Sequence, residues 1–192
     1  MNYTGVNILK SFLRKKIDEG RVADSFIHTL IEVSTEGYPE VVDFINTEPG
    51  FDSSPEISTD NIQWFLQVVF AGNLQHMHHF FPLDQLNRMR EICIRKFVFE
   101  NHDINITEDS ILHYEEYIID LKEGMSEKDI ANAMAKAIFY RCELNEFQDD
   151  HFQKLNVPNP TFLKDLNDIL VHFLWNWTDL LGKYKVQRKL HS

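Results

Sequence analysis

The stretch from Asn61 to Leu83, NIQWFLQVVFAGNLQHMHHFFPL, holds no Asp, Glu, Lys or Arg in a chain that is 26% charged. At a helical step of about 100° per residue, Ile62, Phe65, Leu66, Val69, Met77 and Phe80 share one face. Trp64, Val68, Phe70 and Leu74 spread around the rest. A helix that is apolar nearly all round must be buried on several sides. Gln63, Gln67, Asn73, Gln75 and three histidines interrupt the run, which argues against a membrane span. The expectation is an all-α fold: one compact domain of seven or eight helices around a buried central helix. Residues 1–182 are assigned to that domain, and 183–192, ending KYKVQRKLHS, to a basic, flexible tail.

Local signals divide the rest of the chain. A first helix is predicted from Thr4 to Glu19, stopped by Gly20. A second carries Phe26, Ile27, Leu30 and Ile31 and ends near Gly37, and Pro39 opens a short third with Val41, Val42 and Ile45. TEPGFDSSPEIS at 47–58 reads as a loop. Asp60 is expected to cap the central helix and Pro82 to end it. The fifth helix, with Leu86, Met89, Cys93 and Phe97, shows a basic outer face of Arg88, Arg90, Arg95 and Lys96. Thr107 caps a sixth, and Ser126 with Asp129 forms a capping box ahead of an alanine-rich seventh. Pro160 starts an eighth, with Phe162, Leu166, Leu170, Phe173, Trp177 and Leu180 along one side.

Thirty acidic against nineteen basic residues leave a formal charge of −11, the wrong sign for a protein that neutralises phosphates. Nucleic acid and membrane are therefore not expected partners; a basic protein is. Two cysteines, Cys93 and Cys142, make neither a disulfide framework nor a metal motif. With no signal-peptide pattern at the N-terminus, a reducing, cytoplasmic location is expected.

The acids are unevenly placed. From Val22 to Asn87 there is no Lys or Arg, while ten acids stand there: Asp24, Glu32, Glu36, Glu40, Asp43, Glu48, Asp52, Glu56, Asp60 and Asp84. Interspersed signs are the usual surface pattern. Glu36, Glu40, Asp43, Glu48, Asp52 and Glu56 are the residues expected to pair with Lys or Arg of a partner. Trp175 is expected on the opposite face of the eighth helix from Trp177, among Asp168 and Asp179, as a separate anchor.

Other chemistry is weaker. His76 and His79 stand one turn apart and could share a metal, with His28 or His113 as a third ligand. His102-Asp103 resembles the dipeptide of metal-dependent HD phosphohydrolases but sits in the turn ENHDINIT rather than on an apolar helix. Glu115, Glu116 and Asp120, with Glu143, Glu146 and Asp149, invite comparison with the paired-helix carboxylates of all-α nucleotide pyrophosphohydrolases. Most of them, however, oppose the apolar stripe of their helix. No nucleophile motif or phosphate-binding glycine loop is present in the sequence, and no cofactor is expected.

The leading expectation is a non-catalytic module that binds a basic protein, a role comparable in charge and size to bacterial immunity proteins and phage-type inhibitors. The alternatives are a helical metal-dependent hydrolase using His76 and His79, and a regulatory or oligomeric subunit contacting an acidic partner through Arg88, Arg90 and Lys96.

Overall fold

The computed structural model describes residues 14–188. Most of the expected first helix lies outside them. Where the described chain begins, Lys15–Asp18 form a short strand, β1, and Gly20 is the second residue of a new helix rather than the stop of an old one. β1 pairs in parallel with β2, Tyr184–Gln187, placing Lys16 opposite Lys185 and Ile17 opposite Val186. Four residues of the expected tail therefore form a strand, and nearby Arg14 donates to the Leu181 carbonyl at 2.6 Å.

The expected second and third helices are one. α1 runs from Glu19 to Asn46, 28 residues, with Asp18 as its N-cap and Pro39 inside it. Pro39 withholds a donor from the Thr35 carbonyl and crowds it, at a cost of about 3 kcal/mol in an ordinary helix. Burial on both sides of the proline outweighs that cost. Phe26, Ile27 and Leu30 before it, and Val41, Val42 and Ile45 after it, are all at most 4% exposed. Gly37 serves as a contact surface: a Cβ there would lie 2.6 Å from Cζ of Phe173, so only a bare Cα admits that ring.

The central helix, α2, spans Gln63–His76, and every residue from Trp64 to His76 is buried. Asp60 does not cap it; Ile62 holds the N-cap position, and Asp60 instead accepts from the Ser58 hydroxyl. The helix passes into a 3-10 turn, Met77–His79, and Pro82 caps the next helix. α3 (Leu83–Glu100), α4 (Glu108–Leu121) and α5 (Glu127–Arg141) follow. Thr107 with Ser110, and Ser126 with Asp129, form reciprocal capping boxes that define where α4 and α5 begin. α2 packs against α1, α4 and α5. Ala131, Ala133, Ala135 and Ala137 are fully buried, and Gly72 meets Met134 so closely that a Cβ would overlap its sulfur. Phe70 stacks on Phe97 of α3 with ring centroids 4.0 Å apart.

After the short α6 (Asp150–Leu155), Asn159 caps α7 (Pro160–Leu170) with Pro160 in its first turn. The expected eighth helix is broken. A 3-10 turn, Val171–Phe173, and a kink separate α7 from α8, Trp177–Lys183. The cause is Asn73 on α2, fully buried. Its amide donates to the Val69 and Phe173 carbonyls, both at 2.9 Å, and its oxygen accepts from the Trp175 N–H at 2.8 Å. Main-chain groups that would have continued the helix are bonded to the core instead. The result is a compact multi-helix domain, all-α apart from the two-stranded sheet.

Candidate partner-binding surface

Charges on the surface of α1 divide into two sets. At its N-terminal end Glu19 is 3% exposed and receives both Nε and Nη2 of Arg88, at 3.2 and 2.9 Å. One turn on, Asp24 pairs with Lys96. The basic residues of α3 thus meet acids: Arg90 makes a forked contact with Glu115 of α4, while Arg95, exposed, pairs with Glu91 on its own helix at 3.1 Å. Hydrogen bonding to their carboxylates raises the pKa of both Arg88 and Arg90, so these charges are held in place. Arg88, Arg90 and Lys96 each have a carboxylate partner within the fold.

Beyond Asp24 the pattern changes. Glu32, Glu36, Glu40 and Asp43 are exposed on α1, and no ion pair among the described residues involves them. Steps of four, four and three residues keep these carboxylates within about 80° around the axis, so they form one continuous ridge opposite the core. Asn46 then holds the loop back against the helix. Its amide and carbonyl oxygen bond the Ile57 carbonyl and N–H at 2.9 and 2.8 Å. The Tyr38 hydroxyl lies 3.0 Å from the carbonyls of Ser58 and Asn61, two turns earlier on α1. The loop therefore runs back along the flank of the helix, and Asp52, Glu56 and Asp60 are exposed on it. Glu48, half-buried, accepts from the Gly50 N–H at 3.0 Å and braces the turn. Of the six acids singled out in the sequence, all but Glu48 are exposed, and all belong to two adjoining elements.

Trp175 is placed differently. Since α7 stops at Leu170, helical phase does not carry to residue 175, and the indole turns inward onto Phe26 and Trp177, with centroids 5.7 and 6.1 Å away. Its Nε1 is buried without a hydrogen-bond partner. The anchor expected on an outer polar face is a half-buried core contact.

The histidines diverge. His76 is 1% exposed; its Nε2 sits 3.4 Å from Glu127, and its Nδ1 has no partner. His79 turns to the Met125 carbonyl, 6.3 Å from His76 between ring centroids. His78 faces a cavity with Gln75, Asn87, Arg90 and Glu115. Burial lowers the pKa of His76, opposed in part by Glu127, and burial with Lys122 nearby lowers that of His78. His28 and His113 are exposed on α1 and α4.

Nor do the acids of α4 and of the 3-10 turn after α5 converge. Glu115 is buried and takes Arg90 together with Gln75 Nε2 at 2.9 Å, while Glu116, Asp120, Glu143 and Glu146 are exposed. Asp149 caps α6. Among the described residues no group of three His, Cys, Asp or Glu is placed to hold a metal ion. His102-Asp103 lies in a 3-10 turn, His102 Nδ1 against the Phe99 carbonyl at 2.8 Å. Both cysteines are free, and burial pushes their thiols up to about 12, far from reactive thiolates. No described helix is long and apolar enough to cross a membrane.

Compared with protein-family models, curated proteins and solved structures, the chain matches none.

Proposed function

We propose that this protein is a non-catalytic binding module that takes up a basic protein through the carboxylates of α1 and the loop behind it. The residues assigned to the partner are Glu36, Glu40, Asp43, Glu48, Asp52 and Glu56, an immunity-protein or inhibitor-like role. One observation carries the reading: the contrast along α1. Where α1 meets α3, its acids have basic partners inside the fold, and the ridge from Glu32 to Asp43 has none among the described residues. Like charges at i and i+4 repel and weaken a helix by a few tenths of a kcal/mol each. A ridge of them is a standing cost that a cationic partner removes, and it steers such a partner from a distance.

The test is capture from cell lysate at low and high salt, followed by direct titration of the captured protein. Reversal of the ridge by Glu36→Lys, Glu40→Lys and Asp43→Lys is expected to abolish capture. The same change of charge at Asp120, Glu143 and Glu146 is expected to leave it intact. Equal loss from both sets would reduce the interaction to net charge and defeat the assignment.

A further inference from the structure

Beside the ridge, α1 does not lie flush against the chain that follows α7. A cavity of about 460 Å³ opens between Gly37, Glu40 and Val41 on one side and Asp168, Ile169 and His172 on the other. A second, of about 180 Å³, opens nearer the helix N-terminus, between Thr29 and Val33 and the stretch from His172 to Asn176. His172 and Phe173 line both, so the two cavities adjoin along α1, and the pair is called the trough. From Thr29 to Val41 it is about 18 Å long, three turns of a helix. Its floor is Phe173, 8% exposed and seated on Gly37, and Val33, 40% exposed, adds an apolar edge. Glu40 lines one side, with Glu36 exposed one turn earlier on α1, and Asp168, tied to Lys164 at 2.9 Å, lines the other.

We propose that this trough seats an amphipathic, cationic α-helix of the partner protein. Its apolar side chains would lie over Val33, Ile169 and Phe173, and its Lys or Arg side chains over Glu36 and Glu40. The proposal rests on the acidic-surface reading and adds the form of the partner. Charge complementarity sets the sign. The state of the walls sets the secondary structure. α1, apart from the Thr35 carbonyl beside Pro39, and the body of α7 use their main-chain groups internally. In the kink, Asn73 holds the Phe173 carbonyl and the Trp175 N–H, and the Trp175 carbonyl accepts from the Trp177 N–H at 2.9 Å. The trough is lined by α1, α7 and the kink, so an extended segment pressed into it would find no strand edge to pair with. A helix carries its hydrogen bonds with it and needs only side-chain contacts, as helices in apolar grooves do.

The probe is an 18-residue peptide of Leu and Lys in amphipathic helical order, labelled for fluorescence anisotropy, beside an isomer of scrambled order. Against the full chain at low salt, the ordered peptide is expected to bind at least tenfold more tightly. Val33→Ser, at an exposed position that leaves the fold alone, is expected to weaken it about tenfold, because the apolar edge that meets the peptide becomes polar. Gly37→Ala, which displaces Phe173 into the trough, should weaken it as much. Neither should change the scrambled isomer, whereas Glu36→Lys with Glu40→Lys should weaken both peptides. If the two peptides bind alike and the trough substitutions change neither, the trough proposal is overturned while the acidic surface stands. If ridge reversal also changes nothing, both readings fall. Sedimentation of the unliganded chain is expected to give a monomer; a dimer dispersed by Val33→Ser would put a second copy in the trough and overturn the proposal.

Discussion

The two ends of α1 use the same residue type in opposite ways. At Glu19 the carboxylate is buried, doubly bonded to Arg88 and part of the joint between α1 and α3. At Glu36 and Glu40, farther along the same helix, the carboxylates stand in water on a ridge outside every ion pair among the described residues. A buried carboxylate is retained only with strong partners, because its desolvation must be offset. An exposed one needs none, so its placement is free to serve something outside the chain. Glu115, with Arg90 and Gln75, belongs with Glu19; Asp43, Asp52 and Glu56 belong with the ridge.

Substitutions can break that contrast or make it finer. Asn73→Leu should have the largest effect, because it strips partners from the Phe173 carbonyl and the Trp175 N–H and releases the wall beside the ridge. A loss of about 3 kcal/mol is expected, a fall in Tm of about 6–12 °C by calorimetry. Glu115→Leu should cost about 2 kcal/mol in urea melts, less than a fully buried pair because Arg90 keeps 31% of its side chain in contact with solvent.

Acid titration separates the interior from the ridge. His76 has its pKa lowered by burial, so between that value and the ordinary 6.5 the unfolded chain binds more protons than the folded one. Stability therefore falls as pH drops below about 6.5. His76→Gln should flatten that slope in melts taken from pH 7 to pH 5. At the small end, Lys96→Ala at the partly exposed pair with Asp24 should cost no more than about 1 kcal/mol. Reversing Glu36 and Glu40 should leave Tm unchanged or raise it slightly, since like-charge repulsion along the helix is worth only a few tenths of a kcal/mol. A clear loss of stability on reversal would show that the ridge is structural after all.

Much of the fold was legible locally. The charge-free run from Asn61 to Leu83 announced a helix buried all round, and Trp64 to His76 are buried. Thr107, Ser126 with Asp129, and Pro160 mark helix starts by bonds and angles made within one turn, and each does so here. The buried positions on α3 followed from a 3.6-residue period. The ridge did not: a helix ending near Gly37 and another opening at Pro39 put Glu36 and Glu40 on different elements, and only the continuous α1 lines them up.

What failed locally failed for one kind of reason. Gly37 and Pro39 read as breakers, but the aromatic and aliphatic contacts flanking them on α1 outweigh a single missing hydrogen bond. The period through Phe162, Leu170 and Trp177 read as one helix, yet Asn73, about a hundred residues away, takes the main-chain bonds that would have continued it. Trp175 changed sides as a consequence. Lys15–Asp18 and Tyr184–Gln187 each look unremarkable alone and become strands only by finding one another across the length of the chain. Arg88, Arg90 and Lys96 looked like an outer face until their carboxylates arrived from α1 and α4. Periodicity and capping depend on neighbours within a turn, so the order of residues was enough for the helical class, the central helix and the composition of the ridge. Hydrogen bonds and ion pairs between distant residues have no local signature. Which charges are paired inside the fold, and which stand in water, therefore emerged only when α1, α3 and α4 came together.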